Sequence, residues 1–156
     1  MNENEFMQRA IELSMLAIQD GKGGPFGCVI VKNGKIVGEG SNKVTSTNDP
    51  TAHAEVVAIR NACANLNTFQ LDGCEIYTSC EPCPMCLGAI YWARPARIFY
   101  ANTRQDAADI GFDDSMIYEE ITAHLKDRKI PMISLGRNEA ILTFNEWKNK
   151  TDKIDY

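Results

Sequence analysis

The stretch TSCEPCPMC places Cys80, Cys83 and Cys86 at intervals of three residues. Thiols this close together along a chain are typical of a metal site or a redox site. If all three bind one metal together with a histidine, the coordination shell is closed and the site is structural. If only two of them bind with a histidine, one coordination position stays open for chemistry. The number of thiols on the metal therefore decides the class of function.

The remaining composition is that of an ordinary globular chain. Its 156 residues, 44% hydrophobic and 24% charged, are enough for one domain with a real core, and we predict a single domain over 1–156. No apolar run is long enough to cross a bilayer, and the N-terminus MNENEFMQRA lacks the features of a signal peptide. We therefore expect a cytoplasmic protein with no membrane partner, in which structural disulfides are disfavoured.

The charge distribution argues against a nucleic-acid partner. The net charge is −5, and residues 104–120 carry six carboxylates against a single base. A surface that binds RNA usually shows a basic stripe, and no long one is present. We expect a small molecule as the partner instead.

Hydrophobic periodicity and turn signals predict helices and strands in an α/β layered order. The predicted helices span 5–20, 52–66, 82–94, 113–122 and 143–152. The predicted strands span 28–32, 35–40, 74–79, 96–101 and 130–134, and Asn33-Gly34 joins the first two as a hairpin.

Two predicted helix starts carry the chemical residues. His53 and Glu55 open one helix, and Cys83 and Cys86 open another. Two thiolates and one imidazole suit Zn²⁺, and a helix N-terminus favours the thiolate form. Glu55 points to a different side of its helix from His53, so it is placed to reach a water on the metal rather than to bind the metal. A hydrolytic zinc site is favoured over a closed site that includes Cys80.

These motifs, His53-Ala54-Glu55 and Pro82-Cys83-Pro84-Met85-Cys86, resemble the H-x-E…P-C-x-x-C signature of the cytidine-deaminase-like zinc deaminases. Within that superfamily the chain is similar to the small bacterial guanine deaminases. The stretches GGPFG, NDPTAHAEV, TSCEPCPMCLGAIYWAR and GFDDS and the terminal tyrosine carry this likeness. The resemblance implies a three-layer α/β/α fold with a central mixed sheet flanked by helices. It also implies one zinc ion per subunit and conversion of guanine and water to xanthine and ammonia, in purine salvage or catabolism.

The resemblance also implies roles for single residues. His53, Cys83 and Cys86 hold zinc, and Glu55 takes a proton from the water and delivers it to the ring and then to the leaving amine. The expected base-binding residues are Phe26, Asn42, Ala54, Trp92 and Tyr156, and Asp114 is the expected second catalytic acid. For Phe26 and Trp92 the alternative role is packing in the core. For Asp114 the alternative role is a helix N-cap, a role that Asp113 could fill at least as well.

The resemblance further implies a homodimer. In it the C-terminal segment, about residues 130–156, crosses to the second subunit, where Tyr156 covers the pocket. Two alternatives differ in the substrate: a tRNA adenosine deaminase, and a deaminase of another free base or nucleoside such as cytosine or cytidine. A non-catalytic zinc module is a further alternative, although such a module has no use for the acid Glu55.

Overall fold

The computed structural model describes residues 1–156 and contains seven α-helices and four strands. In chain order they are α1 Glu3–Gln19, β1 Gly27–Lys32, β2 Lys35–Ser41, α2 Val44–Thr47, α3 Ala54–Leu66, β3 Cys74–Cys80, α4 Pro84–Ala93, β4 Arg97–Asn102, α5 Arg104–Asp109, α6 Ser115–Thr122 and α7 Arg137–Asn149. A 3₁₀ turn spans Leu125–Asp127. None of the helices combines the length and the apolar character needed to cross a membrane. The chain divides into two compact units, residues 1–114 and 115–156; that the whole chain is one domain stays a prediction.

The first unit contains a four-stranded mixed sheet in the order β2-β1-β3-β4. β1 pairs antiparallel with both β2 and β3, and β3 pairs parallel with β4. The predicted hairpin forms, with Asn33 and Gly34 both at positive φ as a type I′ turn requires. A parallel pair needs a crossover between its strands, and α4 supplies it between β3 and β4.

Side chains alternate between the two faces of the sheet along each strand. Both faces carry apolar side chains, and helices cover both of them. Val29, Val31 and Tyr77 point to one face and pack with Phe6 and Ala10 of α1. Ile30 and Ile76 belong to the cluster on the other face, which α3 and α4 complete through Ala54, Ala58, Ala62, Ile90 and Ala93. The predicted three-layer α/β/α fold is confirmed.

Small residues bring α3 close to β2. A Cβ added to Gly40 would lie 2.2 Å from the carbonyl oxygen of Ala54, and one added to Gly38 would lie 2.6 Å from that of Ala58. These neighbours are backbone atoms, so a larger residue in β2 would displace the helix. The contact with Gly40 is at the first residue of α3, and it therefore fixes where the chain on either side of Ala54 lies.

One edge of the sheet gathers the ends of several elements. Gly27 pairs with Ser41, Cys28 with Thr78, and Cys80 with Asn102, so the start of β1 meets the ends of β2, β3 and β4. Helices α3 and α4, which run back from this edge, begin there. The carboxyl edge of an α/β sheet is where ligands usually bind.

The second unit differs most from the sequence prediction. The strand predicted at 130–134 is wrong, because these residues pair with no strand and Ile133 is 87% exposed. The last helix spans 137–149 rather than 143–152; its first turn is polar, and Gly136 precedes it. The short helices α2 and α5 were not predicted because neither is long enough to show a 3.6-residue apolar pattern.

Candidate metal centre and active site

Two helix N-termini bring the three candidate metal ligands together. His53 is the N-cap residue of α3, and Cys83 is the N-cap residue of α4, where Pro84 occupies the first helical position. Cys86 follows in the first turn of α4 and is fully buried. An N-cap side chain naturally faces the third helical residue, so Cys83 and Cys86 are well placed to chelate one ion.

The spacing of the ligand atoms fits zinc. Nδ1 of His53 lies 3.5 Å from Sγ of Cys83 and 3.4 Å from Sγ of Cys86, and all three atoms lie within 4.8 Å of one another. With Zn–N near 2.1 Å and Zn–S near 2.3 Å, tetrahedral geometry requires N and S to be about 3.6 Å apart. The predicted zinc site at His53, Cys83 and Cys86 therefore has both the right donor set and the right size.

The two thiols of the cluster shift each other's pKa in opposite directions. The hydrogen bond with Cys86 lowers the pKa of Cys83 to about 4, and the same contact raises the pKa of Cys86 well above its usual range. The contact with Cys83 raises the pKa of His53. Cys83 is thus the thiolate of the pair, and a zinc ion that binds all three groups displaces the protons of the other two.

Cys80 lies outside this cluster. It is the last residue of β3, and its thiol contacts the carbonyl oxygen of Thr103 at 3.6 Å. Burial raises its pKa to about 11, so it holds its proton at neutral pH. Two thiols rather than three meet the histidine, so a tetrahedral ion held by these three residues would have one position open.

Glu55 is a buried carboxyl beside the candidate metal site. It is 7% exposed, and its Oε2 lies 3.4 Å from Sγ of Cys86. Its Oε1 accepts a hydrogen bond of 3.2 Å from the hydroxyl of Thr78, a residue of β3 that sequence reasoning missed. Burial raises the pKa of Glu55, as suits a group that must take up and release a proton. A signal for Thr78 existed: it is a polar residue on the face of β3 that also carries Cys74 and Ile76.

Asn42 and Ala54 offer donors at this edge of the sheet. Asn42 follows β2 and is buried, and its Oδ1 accepts hydrogen bonds from the backbone N–H groups of Gly24 at 3.3 Å and Val44 at 3.1 Å. With its oxygen occupied, its amide NH₂ is the part left for a ligand, whereas the sequence alone allowed it both to donate and to accept. Ala54 is the first residue of α3, where a backbone N–H has no partner within the helix.

Phe26 and Asp114 lie on segments that meet through a second aromatic ring. Phe26 packs against the core and meets Phe112 edge-on, with ring centroids 5.0 Å apart. Asp114 follows two residues after Phe112 and is partly buried, and burial raises its pKa, with a further contribution from Cys83. Phe112 was not predicted, because an aromatic residue in a loop gives no periodic signal.

Trp92 and Tyr156 stay predictions as substrate contacts. The core-packing alternative for Trp92 is wrong, because this residue is 64% exposed. It lies six residues beyond Cys86 in α4, which is about 9 Å along the helix. Tyr156 belongs to the second unit and is exposed there.

Comparison with known proteins gives consistent matches. Residues 1–102 match the family described as the cytidine and deoxycytidylate deaminase zinc-binding region. Over all 156 residues the chain is 54% identical to the guanine deaminase of Bacillus subtilis, and the alignment covers 100% of both proteins. The crystal structure of guanine deaminase from that organism superposes with a TM-score of 0.97 over 100% of this chain and 99% of the other.

More distant relatives include guanine deaminases and tRNA-specific adenosine deaminases. A solved guanine deaminase from Nitrosomonas europaea is 34% identical, with a TM-score of 0.69 over 72% of this chain and 65% of the other. The tRNA-specific adenosine deaminase of Aquifex aeolicus is 40% identical over 101 residues, which is 65% of this chain and 66% of that protein.

Proposed function

The chain belongs to the cytidine and deoxycytidylate deaminase zinc-binding family, and we propose that it is a guanine deaminase, which hydrolyses guanine to xanthine and ammonia. The metal chemistry follows from the His53, Cys83 and Cys86 cluster with Glu55 beside it. The choice of guanine depends on one observation, the 54% identity to a guanine deaminase over the full length of both chains. We place the reaction in purine breakdown in the cytoplasm.

His53, Cys83 and Cys86 would hold zinc, which would supply the Lewis acid that makes water nucleophilic at neutral pH. Glu55 takes a proton from the attacking water through its carboxylate and delivers it to a ring nitrogen as the new C–O bond forms. Glu55 then takes the remaining proton from the new hydroxyl group on that carbon and delivers it to the amino group, so that the C–N bond breaks, the C=O of xanthine forms and ammonia leaves. The atoms balance, since guanine and water give xanthine and ammonia with no further reactant.

The substrate contacts follow from the donors and acceptors at the sheet edge. The NH₂ group of Asn42 and the N–H of Ala54 donate to acceptor atoms of the purine. Asp114 supplies the carboxylate that accepts from a ring N–H or amino group of guanine, and Phe26 supplies a ring face for stacking. The raised pKa of Asp114 also suits it to a share in proton transfer.

The test is a substrate panel read by ammonia release. We expect the zinc-loaded protein to release ammonia from guanine and to form xanthine, and the Glu55→Gln variant, purified in the same way, controls for a contaminating deaminase. Adenine, cytosine, cytidine and a tRNA with adenosine in its anticodon form the other arms. Activity on the tRNA or on a cytosine compound, without activity on guanine, would show that the substrate is wrong.

We also propose that the protein is a homodimer with an exchanged C-terminal segment. Leu135 is 94% exposed, and Ile130, Ile133 and Phe144 of the second unit are also largely exposed. Apolar exposure on this scale is typical of an interface. In the proposed dimer the segment of about residues 130–156 packs on the partner subunit, and Tyr156 covers the partner's pocket. Sedimentation equilibrium is expected to give twice the mass of the 17.4 kDa chain, and a monomer at micromolar concentration would contradict the dimer.

A further inference from the structure

The two oxygens of Glu55 have different surroundings. Oε1 accepts from the hydroxyl of Thr78 at 3.2 Å, whereas Oε2 lies 3.4 Å from Sγ of Cys86 and so faces the candidate metal site. Thr78 is 1% exposed, so water cannot replace its hydroxyl. The carboxyl therefore has one oxygen tied to the sheet and one directed at the ligands.

The contact with Cys86 cannot hold the carboxylate once the site is loaded. A zinc-binding cysteine is a thiolate and has no proton to donate. The hydroxyl of Thr78 then remains as a neutral side-chain donor, and it does not compete for the metal. A hydrogen bond to a charged acceptor is stronger than one between neutral groups.

The place of Thr78 in the fold makes this contact rigid. Thr78 lies in β3, one of the two inner strands of the sheet, in register with Cys28 of β1 and Tyr100 of β4. Its hydroxyl also lies 3.0 Å from the carbonyl oxygen of Cys80. The single proton of the hydroxyl thus has two acceptors in reach, and the ionised carboxylate of Glu55 is a stronger acceptor than the neutral carbonyl of Cys80.

From this geometry we propose that Thr78 is a positioning residue for the deamination proposed above. It holds Oε1 of Glu55 so that Oε2 is the oxygen that receives the proton from the attacking water and passes it to the purine. Thr78 touches neither the metal nor the reacting atoms. Its effect is on the orientation of the carboxylate, and therefore on the chemical step rather than on purine binding.

The proposal is tested with Thr78→Val, which keeps the shape of the side chain and removes the hydroxyl, and with Thr78→Ser, which keeps the hydroxyl. We expect Thr78→Val to lower kcat for guanine by about ten- to a hundred-fold, the loss expected for a hydrogen bond to a charged group. Thr78→Ser should stay within about threefold of the wild-type kcat, because it restores that bond. Both variants should keep one zinc per subunit and the wild-type affinity for hypoxanthine, a purine with no amino group to lose.

Each outcome decides the proposal. An unchanged kcat in Thr78→Val overturns it, and so does a loss of zinc or of hypoxanthine affinity that matches the loss of kcat, since that pattern indicates a merely structural role. If Thr78→Val does not fold, Thr78→Ala replaces it and must show the same selective loss of kcat. Absence of ammonia release from guanine by the wild-type protein would instead overturn the proposed function, and this inference with it.

Discussion

Replacing Glu55 by glutamine is expected to abolish nearly all guanine turnover while the protein keeps one zinc per subunit. Glutamine has the size of glutamate and can still accept from Thr78, but it cannot take up a proton. General acid–base catalysis typically contributes about 10²–10⁴-fold, and Glu55 is proposed to act twice in one turnover, so kcat should fall by at least that factor. Ammonia release and zinc content measured on the same sample separate the loss of chemistry from a loss of metal.

The matched control for this variant is Glu75→Gln. Glu75 is a residue of β3 like Thr78, but its carboxylate pairs with Arg97 and the hydroxyl of Tyr77, away from the metal ligands. Replacing Glu75 should leave kcat within about twofold of the wild-type value, because the change removes only exposed and half-buried contacts. Near-normal turnover in Glu55→Gln would show that another group moves the proton, and the mechanism would be wrong.

Glu55 also illustrates a conflict between stability and function. Burial raises its pKa in the folded protein, so the charged form is disfavoured relative to the unfolded chain. The resulting penalty is absent below the unfolded pKa of glutamate, and it grows as the pH rises through that value toward the folded pKa. Glu55→Gln removes a buried charge, and its free energy of unfolding at neutral pH should therefore not fall below that of the wild-type protein.

The parts of the fold that the sequence predicted well are those with a strong local pattern. The hairpin followed from Asn33-Gly34 and the alternating residues on either side of it, and α4 followed from Pro84 near its start. These signals are local, so a single sequence is enough to find them. The prediction of a strand at 130–134 failed because a short apolar run forms a strand only if another strand is available for pairing.

The residues of the candidate site likewise divide into those with a local sequence signal and those without one. The metal ligands are predictable because each belongs to a short motif at the start of a helix. Thr78 and Phe112 were missed, because their roles depend on contacts with residues distant in sequence: Thr78 of β3 donates to Glu55 of α3, and Phe112 in a loop packs against Phe26. Asn42 was found by resemblance, yet only the structure shows that two backbone N–H groups occupy its oxygen.

Cys83 and Cys80 provide the other decisive experiment, because Cys83 belongs to the candidate zinc site and Cys80 lies outside it. Cys83→Ser is expected to lose zinc on dialysis and to lose activity by more than the factor of about 100 that marks the loss of supporting contacts. Cys80→Ser is expected to keep one zinc per subunit, measured by atomic emission. The reason is geometric: Sγ of Cys83 lies 3.5 Å from Nδ1 of His53, and Cys80 is not part of the cluster of His53, Cys83 and Cys86. The thiol of Cys80 instead contacts the carbonyl oxygen of Thr103 at 3.6 Å, and burial raises its pKa to about 11.

Equal loss of zinc in the two variants would indicate a closed site with three thiolates, and such a site leaves no coordination position for water. The contacts of Cys80 argue for the open site instead. Its thiol contacts the carbonyl oxygen of Thr103. A serine hydroxyl can donate a hydrogen bond to the same oxygen, so Cys80→Ser removes no metal ligand and leaves no buried polar group without a partner. The even spacing of the three cysteines thus conceals two different roles. Because only Cys83 and Cys86 join His53, Glu55 has an open coordination position to serve, and a hydrolytic reaction becomes possible at this edge of the sheet.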